Sequence, residues 1–308
     1  MTEEYTTHDD EPEDELCRKD AVIKLGSIVI PLFFALLVVF SCIGNTLVLV
    51  ILVLYEKFKS LINILILNLA LSDLLFTFGL PFWASYFIHG WKFGEIGCKA
   101  IKFLFYVGFY SSVLFLTLMT IQRYMAVVHP LSDWEKCRCF SVAPIIIWMM
   151  SGTAALLVSL HSRVLIHDDN FYCEFDSLRV KHVAVYSQNI FFLMAFCIMG
   201  FCHARMFRII TQSRTRRRRK TINLIFCIGI VLFIGWAPYN IVMLLKTLQD
   251  YALSPFLVCS VSIHLDYAFY ASRLLAFSHC CLNPVLYTLI GERFQKHLRT
   301  LPKKMCLK

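Results

Sequence analysis

Charge is scarce in this chain. Across 308 residues, Asp, Glu, Lys and Arg supply 17 % against 58 % hydrophobic residues, a balance that excludes an ordinary soluble domain and points to a membrane protein. Other absences narrow the class further. The first 20 residues hold no apolar stretch, so no cleaved signal peptide is expected. No internal repeat relates one half to the other, which argues against an ion-coupled transporter. Residues 256–290 contain no lysine, so a retinal Schiff base has no anchor there. No nucleophile is paired with a base, and an enzyme is not supported. Cys137 and Cys139 lack the further ligands a metal site needs and read as free thiols.

What is abundant is long apolar runs. A hydrocarbon core about 30 Å thick needs roughly 20 such residues per helix. Seven runs qualify: residues 25–54, 62–87, 98–128, 140–160, 183–210, 222–245 and 256–290. The fold expected is an all-α seven-transmembrane bundle over residues 21–290. A disordered acidic tail (1–20) precedes it, and a short membrane-surface helix with a cytoplasmic tail (291–308) follows. Lys and Arg set the orientation. Lys57 and Lys59 follow span one, and Lys136 and Arg138 precede span four. The connector between spans five and six carries Arg205, Arg208, Arg214, Arg216, Arg217, Arg218, Arg219 and Lys220 without an acid. Arg293, Lys296, Arg299, Lys303, Lys304 and Lys308 follow span seven. All four groups share one side, which is therefore cytoplasmic, with the N-terminus outside. The net charge of +9 belongs largely to this side, where anionic lipid and acidic partner surfaces attract it and nucleic acid is not implied.

The head of the chain inverts that charge. Glu3, Glu4, Asp9, Asp10, Glu11, Glu13, Asp14 and Glu15 stand among almost no apolar side chains, so the segment should not fold alone. It reads as an electrostatic lure for a basic ligand, against the plainer reading of a solvated leader. Tyr5, beside two glutamates, is a candidate for sulfation. Cys17, Cys98, Cys173 and Cys259 fall outside, an even number in an oxidising compartment, and four cysteines allow three pairings. Cys306, after a basic stretch, is a candidate for palmitoylation.

A set of motifs then fixes the resemblance: Gly44-Asn45, Asn68 to Asp73, Cys98 and Arg123 at the two ends of span three, Trp148, Trp236 to Tyr239, and Asn283 to Tyr287. Their order and spacing resemble the rhodopsin-like G-protein-coupled receptors. Leu80 to Trp83, Trp91 to Cys98 and Ala276 to Tyr287 narrow the likeness to chemokine receptors, nearest the XC (lymphotactin) branch. Arg273 stands there too, where most chemokine receptors carry a glutamate.

The resemblance implies a receptor for a basic, XC-type chemokine that activates an inhibitory-type heterotrimeric G protein and drives calcium signalling and chemotaxis. The alternatives are a clearing receptor with weak or no G-protein coupling, or one with elevated basal signalling. It favours the pairings Cys98–Cys173 and Cys17–Cys259. It implies a ligand pocket lined by Trp83, Phe105, Tyr106, Glu174, Tyr239, Asp266, Tyr267, Tyr270 and Arg273, with Glu3, Glu4, Tyr5, Asp9 and Asp10 as outer contacts. A salt bridge from Arg273 to Asp266 or Glu174 is the plainer alternative to ligand binding. Asp73, deep in an apolar span, is expected to face Asn45, Ser112 and Asn283. His279 replaces a common asparagine and argues against a sodium ion near Asp73, Ser112 and Asn283, leaving a hydrated polar network and no cofactor.

Trp236, Pro238 and Pro284 resemble hinge elements. Arg123, Tyr124 and Tyr287 belong to the switch, with Arg123, Arg216, Arg217, Arg218, Arg219 and Lys220 facing the G protein. Two switch positions depart from the pattern. Gln122 stands where an acid usually restrains the arginine, weakening that restraint by about 1 kcal/mol. His203 stands where a tyrosine usually steadies the open state through Tyr287. Beyond span seven only Thr300 offers a phosphorylatable hydroxyl, so tail-driven arrestin recruitment should be weak, with Ser213 and Thr215 as substitutes.

Overall fold

A helix of 36 residues spans about 54 Å at 1.5 Å per residue, well over the hydrocarbon thickness, and α1 (Asp20–Tyr55) has that length. The surplus explains why most helices overrun the apolar runs read from sequence: their polar ends project into the headgroup region. The computed structural model describes residues 17–55, 60–129, 138–167, 170–211 and 216–290. After α1 come α2 (Leu61–His89), α3 (Gly94–Val128), α4 (Arg138–Leu160), α5 (Leu178–Thr211) and α6 (Arg216–Asp250). The seventh run forms two pieces, α7 (Cys259–Phe277) and α8 (His279–Ile290), broken at Ser278. Thus α8 is the inner half of span seven. The expected surface helix at 291–308, the acidic head at 1–16, Cys137, Ser213, Thr215, Thr300 and Cys306 lie outside the described residues.

Among the described residues, six helices are long and apolar enough to cross a membrane unaided. The seventh span is divided and carries Asp266 and Arg273. The most enclosed of the six is α3, whose buried face includes Phe109, Val113, Phe115 and Leu116 and packs against α2, α4 and α5. Side chains such as Leu32, Phe40 and Ile43 of α1, or Met149 and Leu157 of α4, point outward as a lipid-facing surface should.

Close approach depends on missing side chains. A Cβ on Gly108 would lie 2.7 Å from the backbone nitrogen of Phe76, so α3 and α2 meet there because no Cβ intervenes. Gly44 plays the same part where α1 meets Pro284, a Cβ there reaching the proline ring at 2.9 Å. Polar cross-links add register. The Trp148 indole N–H donates to Asn68 Oδ1 at 2.8 Å, and the Ser111 hydroxyl to Ser72 at 2.7 Å.

The segment after α4 departs from the all-α expectation. It forms an antiparallel hairpin, β1 (Ser162–His167) with β2 (Asn170–Phe175), pairing Val164 with Cys173 and Arg163 with Glu174. Val, Leu, Ile, Phe and Tyr in these short runs suit strands. Cys98–Cys173 bonds β2 to the top of α3, and Cys17–Cys259 bonds the chain before α1 to the start of α7. Both pairings implied by the resemblance are present. At the hairpin base His161 Nδ1 lies 3.0 Å from Asp176, and this hydrogen bond holds the Asp176 carboxyl below its usual range.

Candidate functional site

The outer half of the bundle is walled by rings. Trp83 lies 5.7 Å from Tyr86, 5.9 Å from Trp91 and 6.4 Å from Phe105, ring centre to ring centre. Phe105 meets Tyr106 at 5.4 Å, while Tyr239 stacks on Phe269 at 6.0 Å. Trp91 is fixed twice, its indole donating to the Gly94 carbonyl and its amide to that of Phe171. Of the residues expected here, Tyr267 is half-buried and joins none of these ring contacts among the described residues. Glu174 is exposed on β2.

Charge is arranged differently from the simplest expectation. Asp266 does not pair with Arg273. It accepts from Lys19 at 2.7 Å and from Lys246 at 2.5 Å, joining the chain before α1, α6 and α7. The Arg273 guanidinium lies over the Phe269 ring at 4.3 Å and the Phe87 ring at 5.5 Å. Its charge acts on the phenols of Tyr86, Tyr106, Tyr239 and Tyr270. Nearby, Asp250 holds α5 to α6, accepting from Lys181 at 2.6 Å with His182 Nε2 at 3.1 Å.

Sequence reasoning passed over Lys102. It is 6 % exposed on α3, with its ammonium 4.2 Å from the centre of the Phe175 ring. The signal was available: a lysine four residues after Cys98 and four before Tyr106 must share the face that holds both.

Below the ring wall sits Trp236, 1 % exposed, against Phe109 at 4.2 Å, His279 at 5.3 Å and Phe76 at 6.5 Å. Pro238, directly before Tyr239 in α6, withholds the amide that the Ile234 carbonyl would otherwise accept. Trp236 thus joins the pocket to the polar layer beneath. There Asp73, fully buried, accepts from Ser112 at 2.9 Å and from Asn283 at 2.7 Å. His279 donates from Nδ1 to the Ala276 carbonyl, leaving Nε2 3.8 Å from Asp73.

Asn45 does not join Asp73, contrary to expectation. Its amide donates to the Cys280 carbonyl at 2.8 Å, which Ser41 also reaches at 3.2 Å. The cause is Pro284: lacking an N–H, it leaves the carbonyl four residues back without its helical donor, and α1 supplies two.

At the inner end Gln122 is 6 % exposed and its side-chain oxygen has no partner among the described residues. Arg123 is half-buried. Tyr124 packs against Phe201 and borders the buried pair Cys202 and Met206. His203 is 8 % exposed, with Phe226 of α6 at 5.1 Å and both ring nitrogens unpartnered among the described residues. The side chains of Tyr287, Arg216, Arg217, Arg218, Arg219 and Lys220 lie outside the described residues.

Residues 44–287 match the family described as 7 transmembrane receptor (rhodopsin family). Among similar proteins, the chain is 38 % identical to Chemokine XC receptor 1 of Homo sapiens over 92 % of its length and 84 % of that protein's. It is 38 % identical to the Mus musculus protein of the same name, over 95 % and 88 % of the two chains. It is 33 % identical to C-C chemokine receptor type 8 of Homo sapiens, over 94 % and 83 %.

Proposed function

This chain belongs to the rhodopsin family of seven-transmembrane receptors, among the chemokine receptors, and we propose that it carries the signal of an XC-type chemokine to an inhibitory-type G protein. Calcium release and chemotaxis are the cellular outputs of that reading. The family is one of multi-pass membrane receptors and not of enzymes. In the proposed orientation the acidic head, with Glu3, Glu4, Tyr5, Asp9 and Asp10, meets the basic body of the chemokine outside the plasma membrane. The arginine-rich start of α6 faces the cytoplasm.

The observation that carries the reading is Trp236. One buried indole touches the rings of the outer wall and the His279–Asp73 layer beneath, so a ligand that shifts the wall displaces the polar layer. Ser278 and the prolines of α6 and α8 provide the bends such a displacement needs. Asp73, Ser112 and Asn283 satisfy one another directly, which supports a polar network there over a resident sodium ion.

A second reading, a receptor that binds and clears chemokine without G-protein output, has its own support in Gln122 and His203. Both ends of the usual inner latch differ from the common residues. One experiment separates the readings: chemokine-stimulated G-protein activation in cells, with Arg123→Ala as control. A response in wild type that the variant loses supports signalling. Ligand uptake by wild type without any response supports clearance. Arrestin recruitment is expected to be weak in either case.

A further inference from the structure

The outer pocket holds more cations than its acids neutralise. Asp266 is occupied twice, by Lys19 and Lys246. Among the described residues neither Lys102 nor Arg273 has a carboxylate within the 4.0 Å of a salt bridge. Each rests on rings instead, Lys102 on Phe175 and Arg273 on Phe269 and Phe87. Phe269 is itself shared, with the Lys246 ammonium 5.0 Å from its centre. The acid whose charge reaches Lys102 is Glu174, exposed on β2. The Phe87 ring under Arg273 meets Tyr86 at 5.8 Å, and Tyr86 meets Tyr172 at 6.4 Å on β2, the strand whose Phe175 underlies Lys102, so one run of rings and strand joins the two cations.

Lys102 is buried against a ring, and Arg273 is half-buried among rings with the Tyr239 hydroxyl in reach. Neither arrangement supplies a counter-charge, and a carboxylate brought from outside helps most where water is excluded. A ligand ammonium meets the opposite: Arg273 repels it, and the carboxylate of Asp266 is already held by two lysines. The charge pattern therefore has two zones. The acidic head suits a basic protein body, while the pocket suits an anion.

We infer that Lys102 and Arg273 form a cationic receiver for an acidic side chain on the segment that the chemokine inserts into the pocket. The inference rests on the chemokine-receptor reading and specifies the chemistry of the inserted segment. This receiver sets specificity by charge: segments with an aspartate or glutamate activate, and those with lysine at the same place are rejected although the chemokine body still docks.

The test is a charge swap. An XC-type chemokine is prepared with its flexible N-terminal segment carrying one glutamate, one glutamine or one lysine. Binding to cells and G-protein activation are measured for wild type, Lys102→Gln, Arg273→Gln and the double reversal Lys102→Glu/Arg273→Glu, all matched for surface expression. On wild type the glutamate form should be at least about tenfold more potent than the lysine form, the size of one charge-assisted contact. The glutamine substitutions should shrink that ratio, and the double reversal should invert it. Deleting residues 1–16 should weaken binding of all three forms equally and preserve the ratio. Equal potency of the three forms on wild type, with binding intact, overturns the inference and leaves the receptor reading standing. Loss of the ratio on deletion of residues 1–16 also overturns it, because the head would then be reading the charge. Failure of every form to bind overturns the receptor reading itself.

Discussion

The two ends of the bundle are held by different means. The outer end is cross-linked: two disulfides, the Lys19–Asp266–Lys246 bridge, the Lys181 and His182 contacts to Asp250, and the hydrogen bond from Gln249 to Ser262. Toward the inner end, α5 meets α6 at His203, which offers a ring face to Phe226 and no hydrogen bond among the described residues. On α3 the Gln122 oxygen is likewise unpartnered. The contrast teaches where motion is cheap. Polar ties that must be broken together hold the ligand end in shape, whereas the contact of α5 with α6 at His203 and Phe226 is, among the described residues, one of packing, which allows alternative arrangements at small cost.

The largest effect should come from cutting the outer end. Replacing Cys98 and Cys173 by serine frees the hairpin from α3, and removing a native disulfide typically costs ~2–5 kcal/mol. Thermal unfolding of purified receptor should show a clearly lower Tm together with lost chemokine binding. An unchanged Tm would show that the outer cross-links are not what holds that end.

A smaller effect is expected at the inner end. Gln122→Asp restores an acid beside Arg123, and about 1 kcal/mol of added restraint should lower basal G-protein activity about fivefold. Basal activity no higher in wild type than in the variant would remove the claim that the inner latch is loose. Binding affinity for chemokine in the absence of G protein should move far less than basal output.

The smallest effect belongs to an outer tie that solvent reaches. Asp176 has a depressed pKa from the His161 hydrogen bond, so its contribution is present at neutral pH and is lost as pH falls through that depressed value. Exposed pairs of this kind are worth little. Asp176→Asn should change Tm at neutral pH by an amount near the limit of detection, and the difference should vanish in acid. A large change would show that the hairpin base carries more of the outer end than the buried ties do.

Length and hydropathy made the bundle legible before any coordinates. Seven apolar runs became the spans, and four outer cysteines became two bridges once the resemblance had chosen a pairing. The misses share a physical cause: each depends on backbone groups or on partners far away in the chain. The hairpin arises from two six-residue runs too short to signal strands beside long helices. The break at Ser278 leaves no mark because the serine satisfies the Leu275 carbonyl locally at 2.6 Å, as serines in helices often do. Asp266 was recognised as a pocket residue, yet its lysines come from positions 247 and 20 residues away. The resemblance sets Asn45 near Asp73, whereas its amide donates to a carbonyl released by a proline on another helix.

That carbonyl has a mechanical meaning. If the inner half of the seventh span swung away from the first helix, the oxygen of Cys280 would lose both donors in surroundings that offer no ready replacement. Detaching the two segments is therefore expensive, whereas carrying them along together is not. The first helix and the inner seventh segment form a single lever arm, with its pivot at Ser278, and the tyrosine-bearing end beyond Pro284 travels only as far as the first helix is free to follow.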